Sequence, residues 1–336
     1  MISPVRVAVV GTGLIGGSIL LRLRAVDAEV TAWDPDPAIR TEGRRRGLNF
    51  ADDLAAAVRD RDVVFLAGPL PTLPATLAEV AVATGAQCVL TDVGSTKSAV
   101  AAQARAQGLQ ARFVPGHPMA GAERAGLMAA DPDLFTGAAW ALCPEPAAIG
   151  PFRFLTALLG EVFAARVVPM TPATHDRVVA LSSHVPHLLA GALAGAVAVS
   201  PMREAVLSLA AGSFRDGSRV AATPAKRTAD MLLGNRDSVL NQLAEVSAVL
   251  DDLAGAVRAG DAAALIDRYQ AAREVRGDLT GRTYDEVELR FPADAAEAEL
   301  AALVTLAEQG GHLTGCRRDA AAVVYSGRRP SIDRRG

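Results

Sequence analysis

The chain has 336 residues, 50% of them hydrophobic and 21% charged, and its 34 basic and 37 acidic side chains leave a net charge of −3. This composition excludes a disordered chain, because such chains lack the apolar area that offsets the entropy lost on ordering. A charge so close to zero gives no electrostatic reason to expect a nucleic-acid or anionic-membrane partner. The length exceeds what one core usually supports, so we expect two or three domains.

Neither the cysteines nor the apolar runs indicate export or a membrane. Cys88, Cys143 and Cys316 are widely and irregularly spaced, which matches neither a disulfide framework nor a zinc site, so we expect reduced residues in a cytoplasmic protein. No basic leader with a cleavage site follows Met1–Pro4. The longest apolar stretch, Leu188–Val199, is shorter than the ~20 residues that span a bilayer.

The first half of the chain alternates short, valine-rich apolar runs with helical segments, which is typical of a parallel sheet covered on both faces. The predicted strands are Val5–Val10, Glu29–Trp33, Val63–Ala67, Cys88–Asp92 and Arg112–Pro115. The predicted helices lie near residues 15–25, 51–58, 72–84 and 97–107. Two more extended segments, Ala138–Leu142 and Ala164–Val168, are expected to extend the same sheet.

A glycine-rich loop joins the first predicted strand to the first helix. In such a loop Gly11 permits the tight turn, Gly13 lets a pyrophosphate approach the backbone, and Gly16 lets the helix pack closely on the strand. The start of the helix then offers free N–H groups and a partial positive charge to the phosphates. The expected cofactor contacts are Gly11, Gly13, Leu14, Ile15, Gly16 and Asp34.

Asp34 ends the second predicted strand, where a carboxylate can accept hydrogen bonds from the ribose hydroxyls of adenosine. It would repel a 2′-phosphate, which favours NAD over NADP. Four arginines follow closely and could serve a phosphate instead, namely Arg40, Arg44, Arg45 and Arg46. On the loop alone, FAD and S-adenosylmethionine stay open as other ligands.

After Met170 the pattern becomes almost wholly helical, with apolar residues at three-and-four spacing up to Asp278. The last segment is predicted as strand Glu286–Phe291, helix Ala295–Gln309 and strand Ala320–Tyr325, followed by a frayed tail at Arg328–Gly336. We therefore predict an α/β protein with a Rossmann-like domain at 1–170, a helical domain at 171–282 and a small strand–helix–strand segment at 283–336.

Four later motifs narrow the field, and the last three of them are much more specific than the glycine loop. They are Asp92–Lys97 (DVGSTK), Gly116–Gly121 (GHPMAG), His175-Asp176 followed by Ser183–His187 (SHVPH), and Phe214–Arg219 (FRDGSR). Together they resemble the prephenate/arogenate dehydrogenase family of tyrosine biosynthesis, over roughly residues 5–280. The resemblance implies a Rossmann-like NAD-binding domain, then an all-helical domain that forms a homodimer, with the active site between the two.

By this resemblance the protein is an NAD-dependent oxidoreductase of aromatic amino acid biosynthesis that converts prephenate to 4-hydroxyphenylpyruvate by oxidative decarboxylation. His117 matches the catalytic histidine of the family, and a free imidazole suits withdrawal of the hydroxyl proton as hydride leaves. Ser95 matches the active-site serine, expected to contact the nicotinamide amide and orient His117, or else only to cap a helix. Lys97 and Lys226 are the only lysines, and Lys97 is expected either near the substrate or on the solvated surface.

Prephenate carries two carboxylates, so the site needs cations. Arg219 matches the substrate-binding arginine of the family and can grip a carboxylate through two hydrogen bonds, while Arg215, one helical turn earlier, assists it or is a surface charge. His187 is expected to hydrogen-bond the pyruvyl side chain, with Ser183 on nearly the same helical face. Pro186 predicts a kink that aims these groups into the cleft.

The remaining histidines have weaker assignments. His175 and Asp176 are expected to form a hydrogen-bonded pair that shapes the pocket, or to cap the start of a helix. His184 and His187 have a spacing that could suggest a metal, but no third ligand accompanies them, so we expect none. His312 has no assigned role.

The apolar helices at Leu188–Val199 and Leu240–Leu253 independently predict a homodimer. Two features depart from the family pattern. The stretch Lys226–Met231 lacks the tryptophan frequent there, and Glu286–Tyr325 holds about half of the regulatory ACT domain, so we interpret it as a remnant.

The alternatives are arogenate dehydrogenase and 4-amino-4-deoxyprephenate dehydrogenase. β-Hydroxyacid dehydrogenases rank lower, because they use a catalytic lysine on a helix and only Lys226 lies in the helical region. A non-catalytic NAD-binding protein would not need His117, Ser95, His187 and Arg219 together.

Overall fold

The structure is a computed structural model of the chain and describes residues 5–122, 124–319 and 322–331. The chain folds into two compact units. Among the described residues, unit 1 runs up to His175 and also includes Tyr284–Pro330, whereas unit 2 comprises Asp176–Thr283 and Ser331. The predictions for Met1–Pro4 and for the end of the tail, 332–336, fall outside the described residues.

The first sheet of unit 1 is parallel and has the strand order β2-β1-β3-β4-β5. Its strands are β1 (Arg6–Val10), β2 (Glu29–Trp33), β3 (Val63–Leu66), β4 (Val89–Asp92) and β5 (Phe113–Val114). The helices beside it are α1 (Leu14–Ala25), α2 (Pro37–Arg45), α3 (Leu54–Val58), α4 (Leu73–Ala83) and α5 (Ser98–Ala106). The predicted Rossmann-like fold is confirmed, and β3 and β4 are buried along their whole length, as expected when helices cover both faces.

The strand order places the functional motifs at one edge of this sheet. β1 lies between β2 and β3, and the order reverses there, which is where ligands bind in open α/β sheets, outside the carboxyl ends of the strands. The glycine loop follows β1, Asp34 follows β2, Ser95 follows β4, and His117 lies three residues after β5.

Three further strands and one helix follow: β6 (Gly116–Pro118), β7 (Ala139–Leu142), α6 (Ile149–Phe163) and β8 (Arg166–Pro169). The prediction that Ala138–Leu142 and Ala164–Val168 extend the parallel sheet is wrong. β7 pairs antiparallel with β6 and parallel with β8 in a second sheet. Pro115 explains the change of sheet, because a residue without an N–H ends the ladder of β5 and the chain re-pairs from Gly116 onward.

The helical region is α-helical as predicted. Its helices are α7 (Pro172–Val179), α8 (Val185–Ala198), α9 (Arg203–Leu209), α10 (Gly212–Ser218), α11 (Ala225–Gly234), α12 (Arg236–Ala259) and α13 (Ala262–Gly281). One π-helical turn at Ala180–His184 joins α7 to α8. The apolar stretch at Leu188–Val199 therefore lies at the end of a longer helical segment that begins at Pro172. Within the described residues this stretch, Pro172–Ala198, is the one helix long and apolar enough to cross a membrane, by length and composition alone.

The last elements are β9 (Tyr284–Pro292), α14 (Ala296–Glu308), β10 (His312–Asp319) and β11 (Ala322–Pro330). The predicted strands and helix are present, but the region has an extra strand, β10, and completes the second sheet of unit 1 in the order β6-β7-β8-β10-β11-β9. The prediction that this segment is separate from the first domain is therefore wrong. Only the first two residues of β10 are buried, so the sequence carries no apolar alternation there.

The predicted frayed tail starts too early, because Arg328 and the two residues after it belong to β11. Arg328 lies opposite Glu286 of β9 in the antiparallel ladder. Backbone pairing therefore orders a segment whose arginine-rich composition suggested a loose end.

A buried carboxylate ties the last helix to the rest of unit 1. Glu299 of α14 is fully buried and accepts hydrogen bonds from Tyr325 Oη at 2.5 Å and from Arg153 Nε at 2.9 Å. A buried charge is tolerated only when it is paired and hydrogen-bonded. The hydrogen bond that Arg153 donates to Glu299 raises the pKa of Arg153, and burial above all raises the pKa of Tyr325, so both donors keep their protons.

We predict that Glu299→Gln lowers the free energy of unfolding of unit 1 by about 3 kcal/mol, because it leaves the Arg153 guanidinium without its counter-ion. Both tryptophans of the chain, Trp33 and Trp140, lie in unit 1, so urea denaturation followed by tryptophan fluorescence reports on this unit. The control is Glu297→Gln, an exposed acid on the same helix, with an expected change within about 0.5 kcal/mol. Equal midpoints for the two variants would contradict the prediction.

Candidate active site

The glycine loop after β1 has the geometry of a phosphate cradle. Gly11 has a φ of +89°, and a Cβ at Gly16 would lie 1.9 Å from the Gly11 carbonyl oxygen, so both positions require glycine. A Cβ on Gly13 would meet nothing within 4 Å, which leaves its backbone open to an approaching pyrophosphate. No side chain caps the start of α1, so the N–H groups at Leu14 and Ile15 suit an anion. The loop fits the diphosphate of NAD.

Asp34 is buried at the end of β2 and is held against this loop. Its Oδ2 accepts hydrogen bonds from the backbone N–H and the hydroxyl of Thr12 at 2.7 and 3.0 Å, and its Oδ1 accepts one from the Asp36 N–H at 3.0 Å. A carboxylate has about four acceptor positions, so capacity for ribose hydroxyls remains. This position fits the predicted adenosine contact.

The four arginines after β2 are engaged with other groups. Their hydrogen-bond acceptors are the Asp34 carbonyl for Arg40, the Phe50 carbonyl and Asp52 for Arg44, and Glu42 for both Arg45 and Arg46. None of these contacts needs a ligand. The arginines therefore give less support to a 2′-phosphate than the sequence suggested, and Asp34 decides in favour of NAD.

His117 lies in the middle of β6 and is half-buried. Its Nδ1 is 2.9 Å from Nε2 of His175, a fully buried residue of α7, and the two rings meet edge to face with centroids 5.1 Å apart. One nitrogen of this pair must donate and the other accept. If Nδ1 of His117 is the donor, its Nε2 carries the lone pair and can accept a proton, so the contact is compatible with the tautomer that a base requires.

Lys97 is fully buried, so its predicted alternative as a solvated surface residue is wrong. Its ammonium donates to the Asp92 carboxylate and, at 2.7 Å, to the Gly116 carbonyl oxygen. This burial also argues against the predicted substrate contact. Ser95 is half-buried in the loop after β4, and the N-cap position of α5 is occupied by Lys97, so helix capping is not the role of Ser95.

In unit 2, the sequence predicted a kink at Ser183–His187. The structure has a π-helical turn slightly earlier, at Ala180–His184, which ends two residues before Pro186. Proline lacks an N–H and crowds the carbonyl four residues earlier, which favours such a local widening. His187 Nδ1 donates to the Ser183 carbonyl oxygen at 2.9 Å. The lone pair of the neutral ring is then at Nε2, which lies 3.4 Å from the Thr223 hydroxyl.

Asn235, between α11 and α12, is a residue that the sequence did not single out. It is buried, and its amide nitrogen donates to the Asp176 carbonyl oxygen at 2.7 Å and lies 3.2 Å from His184 Nδ1. The Asn235 side chain thus links α7 to the π-helical turn that follows it. In the sequence Asn235 is distinguished only by its place between two helical segments, which suggests the end of a helix and not a stabilising side-chain contact.

Arg215 of α10 and Arg219, in the 3₁₀ turn after it, are both exposed. Neither guanidinium has a hydrogen-bond or ion-pair partner among the residues that the structure describes. Both are therefore available to an anionic ligand. In the same described ranges, no group of three or more His, Cys, Asp or Glu side chains could hold a metal ion.

Two family models cover most of the chain. The nucleotide-binding domain of prephenate dehydrogenase matches residues 18–159, and the dimerization domain of prephenate dehydrogenase matches residues 171–270. A cyclohexadienyl dehydrogenase from Zymomonas mobilis is 31% identical over 80% of this chain and 94% of its own length. A prephenate dehydrogenase from Bacillus subtilis is 32% identical over 80% of this chain and 74% of its own length.

Solved structures give the same relationship. An arogenate dehydrogenase from Synechocystis has a TM-score of 0.71 and 26% identity, covering 82% of this chain and 100% of that one. A prephenate dehydrogenase from Aquifex aeolicus, solved with hydroxyphenyl propionate and NAD+, has a TM-score of 0.75 over 83% of this chain and 99% of that one. At 24% identity, the second comparison supports the fold.

We predict that Asp34→Asn weakens NADH binding about tenfold, because it removes the charge from the hydrogen bonds to the ribose. It should also narrow the preference for NADH over NADPH. Isothermal titration with both dinucleotides measures this without a substrate. The control is Asp36→Asn, which removes an exposed carboxylate that caps α2 two residues away, and we expect it to leave the affinity unchanged. An unaltered affinity in Asp34→Asn would remove the assigned role.

Proposed function

The chain belongs to the prephenate dehydrogenase family of NAD-dependent oxidoreductases, and we propose that it oxidatively decarboxylates prephenate to 4-hydroxyphenylpyruvate in tyrosine biosynthesis. The observation that supports this best is the contact between His117 and His175, which allows the tautomer of His117 whose Nε2 can accept a hydroxyl proton. Bound NAD+ supplies the acceptor for the hydride that leaves the hydroxyl-bearing ring carbon.

We assign the proton to His117. Nε2 takes it from the ring hydroxyl as the C–O bond gains carbonyl character, and Nδ1 continues to donate to His175. The ring carboxylate then leaves as CO2, and its bonding electrons make the ring aromatic. The resulting phenolic oxygen takes the proton back from His117, so the base ends the cycle as it began. Ser95 remains the candidate to contact the nicotinamide amide and orient His117.

We propose that the substrate carboxylates are bound by the exposed cations of unit 2. Arg219 can form two parallel hydrogen bonds to one carboxylate, and Arg215, one helical turn earlier, adds charge. His187 is assigned to the pyruvyl side chain beside Ser183. Because its Nδ1–H is used on the Ser183 carbonyl, His187 donates to a substrate oxygen only when Nε2 is also protonated.

Arogenate is the second candidate substrate, because the matched Synechocystis structure is an arogenate dehydrogenase. 4-Amino-4-deoxyprephenate is a third, which would change only the group that faces His117. The β-hydroxyacid dehydrogenase alternative loses support, because Lys226 is an exposed side chain paired with Asp230 at 2.8 Å. An exposed, ion-paired lysine does not suit catalysis on a helix.

We also propose that the chain forms a homodimer through unit 2. The dimerization-domain model covers most of this unit, and large apolar side chains lie exposed on α8 and α12, including Leu193, Leu240 and Leu250. A second copy would cover them. We also propose a cytoplasmic location, because no disulfide joins Cys88, Cys143 or Cys316, all of which the structure describes.

We predict that the wild-type chain forms NADH from NAD+ and prephenate, and that His117→Asn lowers kcat by about 10²–10⁴-fold, the usual contribution of a general base. Asparagine keeps a polar group of similar reach but cannot take the proton. Absorbance of NADH measures turnover with prephenate, arogenate and 4-amino-4-deoxyprephenate side by side. NADH affinity, measured by titration, should be unchanged in the variant. Normal turnover by His117→Asn would show that another group is the base.

We predict that Arg219→Ala raises KM for prephenate by about tenfold to a hundredfold, since hydrogen bonds between charged groups contribute about 1.5–3 kcal/mol. Because a carboxylate clamp binds the ground state and the transition state alike, kcat should change little. Arg273→Ala, at another exposed arginine of unit 2, serves as the control. A KM equal to that of the wild type would refute the clamp.

A further inference from the structure

Resting on the function proposed above, we infer that the buried ion pair of Asp92 and Lys97 positions the catalytic His117 by holding the backbone of Gly116, so that Lys97 is a positioning residue and not a substrate ligand. The observation behind this is a set of hydrogen bonds that engages both polar groups of one backbone residue. That residue immediately precedes the proposed base.

The bonds act on the peptide unit that carries His117. Lys97 Nζ donates to the Gly116 carbonyl oxygen at 2.7 Å, and Asp92 Oδ1 accepts the Gly116 N–H at 3.2 Å. The peptide group is planar, so fixing the Gly116 carbonyl also fixes the direction of the His117 N–H and Cα. Asp92 Oδ2 accepts the Gly94 N–H at 2.8 Å and the Lys97 ammonium, which anchors the clamp in the loop after β4.

The backbone at Gly116 is closely surrounded, so it has little room to shift. A Cβ there would lie 2.8 Å from the Asp92 carbonyl oxygen and 3.2 Å from Trp140 Nε1, so the chain passes close to its neighbours. Gly116 is also the residue at which the backbone leaves the first sheet and begins β6. The ion pair therefore joins the end of β4 to the start of the strand that carries the base.

Stability alone does not account for this pair. Both side chains are fully buried, and removing two charges from water costs so much that apolar replacements of buried ion pairs are often neutral or stabilising. The residue type is also specific, since the chain has two lysines among its 34 basic side chains. A compact ammonium on a slender stem reaches both acceptors in a space where the planar guanidinium of arginine would be larger and differently shaped.

The test is Lys97→Met, which keeps the length of the side chain and removes its donors. We expect kcat with prephenate to fall by about 10²-fold, because a misplacement of about 1 Å at a catalytic group has that effect. KM for prephenate and the Kd for NADH should stay within about threefold of the wild type, since Lys97 is assigned no contact with either ligand. The matched control is Lys226→Met, the same change at the exposed lysine, with kcat and KM expected within about twofold.

A second variant separates positioning from folding. Lys97→Met leaves the Asp92 carboxylate buried without its ammonium, whereas Asp92→Asn/Lys97→Met removes that charge as well. We expect the double variant to regain melting temperature but not kcat, because the Gly116 carbonyl still lacks its donor. The inference is overturned by a normal kcat in Lys97→Met, by a raised KM at unchanged kcat, or by recovery of kcat in the double variant.

A result independent of the substrate distinguishes this inference from the proposed function. If the wild type oxidises none of the three candidate substrates, the proposed function fails, and the position of His117 is followed by NMR. The chain has five histidines, and His117→Asn assigns the imidazole signals of His117. We expect those signals to shift in Lys97→Met and to stay in place in Lys226→Met. Unshifted signals in Lys97→Met would refute the positioning role.

Discussion

The buried ion pair of Asp92 and Lys97 holds the one point at which the backbone passes from the parallel sheet to the mixed sheet. Gly116 begins β6, and both of its polar groups are bonded to this pair. His117 follows directly, and its ring meets His175 at the start of α7. The cofactor loop after β1 and the proposed base after β5 thus take their positions from one sheet edge. We propose that this pair affects the chemistry only through the backbone of the neighbouring residue.

The parallel sheet and the cofactor loop could be predicted because their requirements are local. Gly11 is required by its positive φ and Gly16 by the Gly11 carbonyl five residues earlier, and Asp34 directly follows a short apolar strand. The second sheet could not be predicted, since β8 meets β10 across nearly 150 residues and pairs there through Leu313 and Val167. Pairing between strands so far apart along the chain produces no periodic pattern in the sequence.

The same difference separates the candidate site residues that the sequence singles out from the contacts that it does not reveal. His117 and Arg219 stand in motifs whose residue types suggest their chemistry. The contact between His117 and His175 was not predicted, because it joins two rings that lie 58 positions apart in the sequence. Rarity marked Lys97 as unusual, but its burial comes only from the folded chain. Motifs identify reacting groups, whereas the groups that orient them are set by three-dimensional contact.

The charge arrangement fits the proposed substrate, which has two carboxylates. In unit 1 Glu299 pairs with Arg153 and Asp92 pairs with Lys97, whereas Arg215 and Arg219 of unit 2 are exposed. The proposed base is in contact with an imidazole, that of His175, and not with a carboxylate at that position. A carboxylate there would also order the ring of His117, but it would repel a dianion by several kcal/mol at short range in a medium of low dielectric. A histidine partner therefore suits the proposed chemistry, because an imidazole can hold the ring in place and brings no negative charge of its own to the approach of a doubly charged substrate.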